Sequence, residues 1–217
     1  MALEIALPDV AGLTMQATPG WASNRRRIMF VAKQRFARFG FQSASLGDLA
    51  RLAELPESEV LKHFRTPLDL LLAIFEEGWA LINPRAAEIA MTAADAREAT
   101  AGIITVVLHM LDKDPDLTRL MLVEGRRVDP ATGRVRVSHG YLRFLQTCEE
   151  LVVRGQRDGT FKVALQPKLI ADLLIGSVEG LLRGRLLAVQ QGDARAYSTQ
   201  AILAAFDVLM IQLKPLP

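Results

Sequence analysis

The sequence predicts an all-α chain: a compact group of three short N-terminal helices followed by a larger helical body. Three observations carry this. Apolar residues recur at three- and four-residue spacing almost throughout. Capping signals stand at the segment boundaries. Alternating strand patterns are missing, the only candidate, residues 134–138, being too short to build a sheet. Half of the 217 residues are hydrophobic, so a substantial core can be buried.

Residues 1–23 hold Pro8, Gly12, Pro19 and Gly20 without clean periodicity and are read as a flexible arm, with Trp21 near its end. From Asn24, a plausible N-cap, the residues Ile28, Val31, Ala32, Phe36 and Phe39 recur at helical spacing, with Arg25, Arg26, Lys33, Arg35 and Arg38 between them. Gly40 then supplies a left-handed stop. Ser45, with Asp48 three residues later, makes a capping box for a second helix. Its buried stripe is Leu46, Leu49, Ala50 and Ala53, and it ends near Glu54. Pro56 suits the first turn of a third helix, with Val60, Leu61 and Phe64 inward. Thr66-Pro67-Leu68-Asp69 starts a fourth, expected to end near Ile82, before Pro84. Further helices are expected over residues 86–111, 116–128, 138–157, 167–190 and 194–213. The breaks between the later ones fall at Asp129-Pro130-Ala131-Thr132-Gly133, Asp158-Gly159-Thr160 and Gly192-Asp193.

Three short helices in about 40 residues, with a tight turn between the second and third, suggest a helix-turn-helix. Charge agrees. Residues 24–65 carry nine Lys or Arg and four acids, a net of +5, whereas the whole chain is +2 and the remainder therefore −3. Basic charge is concentrated where counterion release would favour a nucleic acid. A uniformly basic coat is excluded.

The run from Phe36 through Gly40, Phe41, Ser45, Leu46 and Asp48 to Ala50 resembles the first two helices of the TetR family of transcriptional regulators. Lys62-His63-Phe64-Arg65-Thr66-Pro67-Leu68-Asp69-Leu70 is similar to the end of that family's recognition helix and the start of the next. Arg154 to Phe161, Pro167, Leu174-Ile175-Gly176 and Glu179-Gly180-Leu181 resemble, more loosely, its dimer-forming helices. The resemblance implies a DNA-binding domain over residues 24–66 and a ligand-binding and dimerisation domain over residues 67–217. It implies a phosphate contact from Ser45 and a recognition helix presenting Glu57, Ser58, Glu59, Lys62 and His63, with Arg65 and Thr66 at the DNA backbone. The sequence departs from the family at Glu54, where a turn glycine is usual. A side chain held there in the left-handed region costs about 1 to 2 kcal/mol. It departs again at Leu61, where an aromatic usually touches a phosphate, and at Glu57 and Glu59, which place acid near DNA.

By the same resemblance the body holds an effector cavity, for a small and largely apolar molecule. Candidate contacts are Trp79, Ile82, Met91, His109, Met110, Met121, Glu124, Tyr141 and Phe144. Residues 169–189 are apolar around much of a helix, with Gly176, Gly180 and Gly184 recurring every fourth position. Exposed, such a surface invites aggregation, and burial in a two-fold interface is the natural solution. Cys148, Leu151, Leu173, Gly176, Gly180, Leu181 and Gly184 are the expected dimer contacts.

No catalytic motif, metal-ligand spacing or cofactor loop stands out, so neither an enzyme nor a cofactor is expected. The lone Cys148 fits a reducing compartment, and neither a signal peptide nor a membrane span is read. The expectation is a cytoplasmic homodimer that binds a palindromic double-stranded DNA operator, represses transcription and is released by a small molecule. The alternative is a helical dimeric binding module whose DNA-binding head is silent.

Overall fold

The computed structural model describes residues 21–126, 133–135, 137–161, 165–192 and 197–212. Most of the N-terminal arm and of the turn at 129–133 lies outside these. The helices are α1 (Trp21–Phe39), α2 (Leu46–Leu52), α3 (Glu57–His63), α4 (Pro67–Thr92), α5 (Ala96–Lys113), α6 (Pro115–Glu124), α7 (His139–Arg157), α8 (Pro167–Gln191) and α9 (Thr199–Gln212). Among the described residues there is no sheet, and no helix is long and apolar enough to cross a membrane.

The head is α1 to α3. Ile28, Ala32, Phe36, Leu49, Ala50, Ala53, Val60 and Phe64 are its buried stripe. Helix α1 begins at Trp21, earlier than the expected Asn24, because Asn24 is no cap. It lies one turn inside the helix and its amide donates to Glu59 Oε1 at 3.2 Å, clamping α1 to α3. Gly40 has φ +80°, the positive value expected of it, and opens a short 3-10 turn over residues 41–43. The α2 capping box forms as read: Asp48 N–H donates to Ser45 Oγ, and Ser45 N–H to the Asp48 carboxylate. Glu54 is held at φ +52°, the left-handed geometry that the turn requires. Leu61 was expected inward; it is 49% exposed instead, since Val60 and Phe64 already fill the inner face of a two-turn helix.

Helix α4 corrects the expected stop before Pro84 and continues for two more turns to Thr92. The proline removes only the bond to the carbonyl of Ala80, and both residues are exposed, so water can replace it. Packing of Trp79, Ile82 and Ala86 in the core outweighs the loss. The break falls at residues 93–95, where the Asp95 side chain accepts from Glu98 N–H at 2.8 Å. The Arg154 guanidinium closes the end of α4 by donating to the carbonyls of Ala90 and Ala93 at 2.7 and 2.6 Å.

In the body α4, α5, α7 and α8 surround an apolar interior, with α9 packed on α5 and α8. Arg185 ties α8 to Asp112 of α5 and to the Tyr197 carbonyl at 2.7 Å. Helix α6 lies between head and body. It packs on α1, where Lys33 pairs with Asp114 at its N-terminus, and its other end reaches α8. Gly140 of α7 seats against α4: its N–H donates to both oxygens of Glu76 at 3.0 and 3.1 Å, and its carbonyl accepts from Asn83 at 2.9 Å.

Candidate DNA-binding face and effector cavity

On α3, one side of the helix belongs to the head's core and the other to solvent. Ser58, Leu61 and Lys62 share the outward face, with Arg65 just beyond it. The remaining expected contacts are differently placed. The His63 imidazole, expected to face a groove, is fully buried and so cannot reach a base edge. Glu59 is turned aside: only 19% of its side chain is exposed, and it accepts from Asn24 and, at 2.7 Å, from Lys62. The Lys62 and Asn24 hydrogen bonds hold its carboxyl below the usual range. Glu57 leans over α2, its Oε2 lying 3.2 Å from where a Cβ on Gly47 would stand. Of the two acids of α3, Glu59 is thus folded onto the head, while Glu57 stays exposed.

Ser45 is exposed at the start of α2, but its hydroxyl is already used, donating to Asp48 Oδ2 at 2.7 Å. That bond, together with the one from the Ser45 backbone N–H, lowers the Asp48 pKa. A phosphate there would have to compete with Asp48, which also pairs with Arg51. Thr66 caps α4 through its side chain, accepting from Asp69 N–H at 3.1 Å. Arg65 is exposed.

The body holds a partly open cavity of about 120 Å³. Its walls are apolar residues of α4, α5, α6, α7 and α8, among them Phe75, Ile82, Ile103, Leu122 and Val178. Of the residues expected there, Trp79, Ile82, Met121, Tyr141 and Phe144 line it. The Trp79 ring packs on Tyr141 and Phe144 with centroids at 5.5 and 5.0 Å. Met91, His109, Met110 and Glu124 do not line it. Met91 is 78% exposed, and Glu124 is buried at the opposite side of α6, beside Gly40 of the head.

Sequence reasoning missed the polar rim. Arg126 donates to the Tyr141 hydroxyl and, at 2.8 Å, to Glu179, which also faces Arg183 at 3.8 Å. These residues line the cavity, and the two arginines are half exposed. Burial raises the Tyr141 pKa despite the bond from Arg126. For Arg126 burial works the other way, and the Tyr141 and Glu179 contacts outweigh it, so its pKa rises. No spacing rule could have found the cluster, because its members come from three separate segments.

The expected dimer contacts divide. Leu173, Gly176 and Gly180 are exposed along α8, and space is open above both glycines. Leu181 is half-buried against the core. Cys148 and Leu151 line the cavity, and burial pushes the Cys148 thiol up to about 12. Gly184 is covered by its own chain: a Cβ there would stand 2.9 Å from Tyr197 Cζ. Its lack of a side chain serves packing within the subunit. Among the described residues no group of three or more His, Cys, Asp or Glu side chains is placed to hold a metal.

A three-helix head joined by α4 and α6 to a cavity-bearing helical body is the fold of the TetR-type regulators. A TetR-family transcriptional regulator from Syntrophomonas wolfei superposes with a TM-score of 0.71 at 16% identity, covering 90% of this chain and 99% of the other. The transcriptional regulator FadR from Bacillus subtilis, solved in complex with stearoyl-CoA, matches with a TM-score of 0.71 at 18% identity over 87% of this chain and 96% of its own. In sequence, the chain is 20% identical over 176 residues to the fatty acid metabolism regulator protein of Bacillus subtilis strain 168, covering 81% of this chain and 90% of the relative. No family model matches the sequence.

Proposed function

We propose that the protein is a one-component transcriptional regulator that binds a palindromic operator as a homodimer through residues 24–66, represses transcription, and releases DNA when a largely apolar small molecule enters the body. The observation that carries this is mechanical. The helices that wall the cavity also hold the head: α4 starts directly after the recognition helix and supplies Phe75, Trp79 and Ile82, while α6 packs on α1 and supplies Met121 and Leu122. A cavity of about 120 Å³ is smaller than the ~150 Å³ that accommodates a benzene ring. An effector that fills the body would press on these walls, and displacing α4 or α6 would move α3. Two subunits joined along α8 would set two recognition helices about 34 to 36 Å apart, one DNA turn. The similarity to a regulator solved with stearoyl-CoA makes a long-chain acyl compound the first probe to try.

The test combines selection from a random duplex library with effector titration. A selected palindrome identifies the operator. Stearoyl-CoA, or another apolar probe that binds the body, is expected to weaken operator binding by about 5- to 150-fold, and operator to weaken probe binding by the same factor. Operator affinity unchanged at saturating bound probe would refute the coupling. Failure to select any sequence would refute operator recognition.

A further inference from the structure

The outward face of α3 carries a residue whose role is unassigned. Leu61 is 49% exposed in the middle of that face, between Ser58 and Lys62. It is the single apolar group on the exposed face of α3, so a partner seated on that face meets one apolar contact among polar ones. The surroundings say which partner fits. The head carries a net +5, Lys62 and Arg65 are exposed beside Leu61, and of the two acids of α3 Glu59 is turned aside to Asn24 and Lys62 while Glu57 stays exposed over Gly47. A basic collar around one apolar spot fits a polyanion that offers an apolar group inside it.

Leucine has no donor for a phosphate and no partner for a base amide. In the major groove the one apolar group exposed on a base edge is the C5-methyl of thymine. We propose that Leu61 reads a thymine methyl in each operator half-site, acting as a specificity-determining residue of the recognition helix. The inference rests on operator binding by the head. Lys62 beside it, three-fifths exposed, is the group to place on guanine or phosphate.

The experiment replaces each thymine of the selected operator, one position at a time, by deoxyuridine, which removes the methyl and nothing else. Full-length wild-type and Leu61→Ala proteins are titrated against each duplex. Burying one methyl predicts that wild type binds about fourfold more weakly per half-site at one deoxyuridine position. Leu61→Ala should bind the all-thymine operator at least that much more weakly, and should be indifferent to deoxyuridine at the same position. Leu61→Met keeps an apolar reach and should retain the discrimination. A specific operator at which wild type and Leu61→Ala respond equally to every deoxyuridine overturns the assignment while leaving operator binding intact. Absence of any specific DNA binding overturns both. Leu61 is exposed, so the alanine variant is expected to keep the wild-type helical circular dichroism.

Discussion

Replacing Gly140 by alanine probes the joint that frames the cavity. A Cβ at this position would lie 2.9 Å from Trp79 Cγ, closer still to Trp79 Cβ, and 3.1 Å from Glu76 Oε2. Ordinary carbon contacts need about 3.5 to 4.0 Å, so α7 must move off α4 by roughly an ångström. Overpacking of this kind costs about 1 to 3 kcal/mol. The same shift stretches the two bonds from Gly140 N–H to the Glu76 carboxylate, and weakening a charged hydrogen bond adds about 1 to 2 kcal/mol. Alanine returns about 0.5 to 1 kcal/mol through its better helix propensity. The net is a loss of about 1 to 4.5 kcal/mol. For a chain of this length it lowers Tm by about 2 to 18 °C. The assay is thermal unfolding followed by circular dichroism at fixed protein concentration, since association shifts apparent stability. Trp79 fluorescence should change in parallel, because its ring contacts define the same joint. A Gly140→Ala protein with wild-type Tm and unchanged fluorescence would refute the reasoning, since it would mean that α7 and α4 are not packed as described.

Other perturbations follow from the same geometry. Glu54→Gly should relieve about 1 to 2 kcal/mol of left-handed strain and give back about 0.5 to 1 in chain entropy, so denaturant unfolding should show stability equal to or up to about 1.5 kcal/mol above wild type. A loss beyond about 1 kcal/mol would mean that the exposed pair with Arg27 matters more than backbone strain. Gly155→Ala places a Cβ 2.8 Å from that of Ala96 and against the fully buried Phe161, and should lower Tm by several degrees in the same melting assay. The thiol of Cys148, at about 12, is protonated at pH 8 and should react with a disulfide reagent at least a hundredfold more slowly than a free cysteine, more slowly still with an effector bound; rapid reaction in the folded protein would place it outside the cavity wall. Glu59 and Asp48 have lowered pKa values, so their contribution to head stability is present above the ordinary carboxylate range. It is lost as pH falls below about 4. Urea unfolding should therefore weaken from pH 6 to pH 3, and Glu59→Gln should flatten part of that slope.

The sequence alone determined the helical frame, because apolar periodicity and caps are local: Ser45 with Asp48, Pro67 after Thr66, Ser138 before α7 and Gly192 after α8 each mark a boundary that the structure keeps. It also marked Glu54 as a strained turn residue, since the constraint lies in that residue's own dihedral. Where tertiary packing overrides local preference, only the structure could decide. Pro84 should stop a helix, yet burial of Trp79, Ile82 and Ala86 carries α4 through it. The candidate effector cavity was half legible. Large apolar residues such as Trp79, Tyr141 and Phe144 could be named from their type, but Arg126, Glu179 and Arg183 become neighbours only when α6 and α8 meet. Cys148 and Leu151 carry no local mark distinguishing an outer face from a cavity wall, and neither does Gly184, which owes its size to Tyr197. On α3 periodicity gave the helix but not its rotation. A two-turn helix has too few residues to fix which side is buried, and contacts with α1 and α2 turned His63 inward and Leu61 out. Local chemistry thus sets where each helix begins and ends, while long-range packing sets which side chains face the solvent, the cavity or the core.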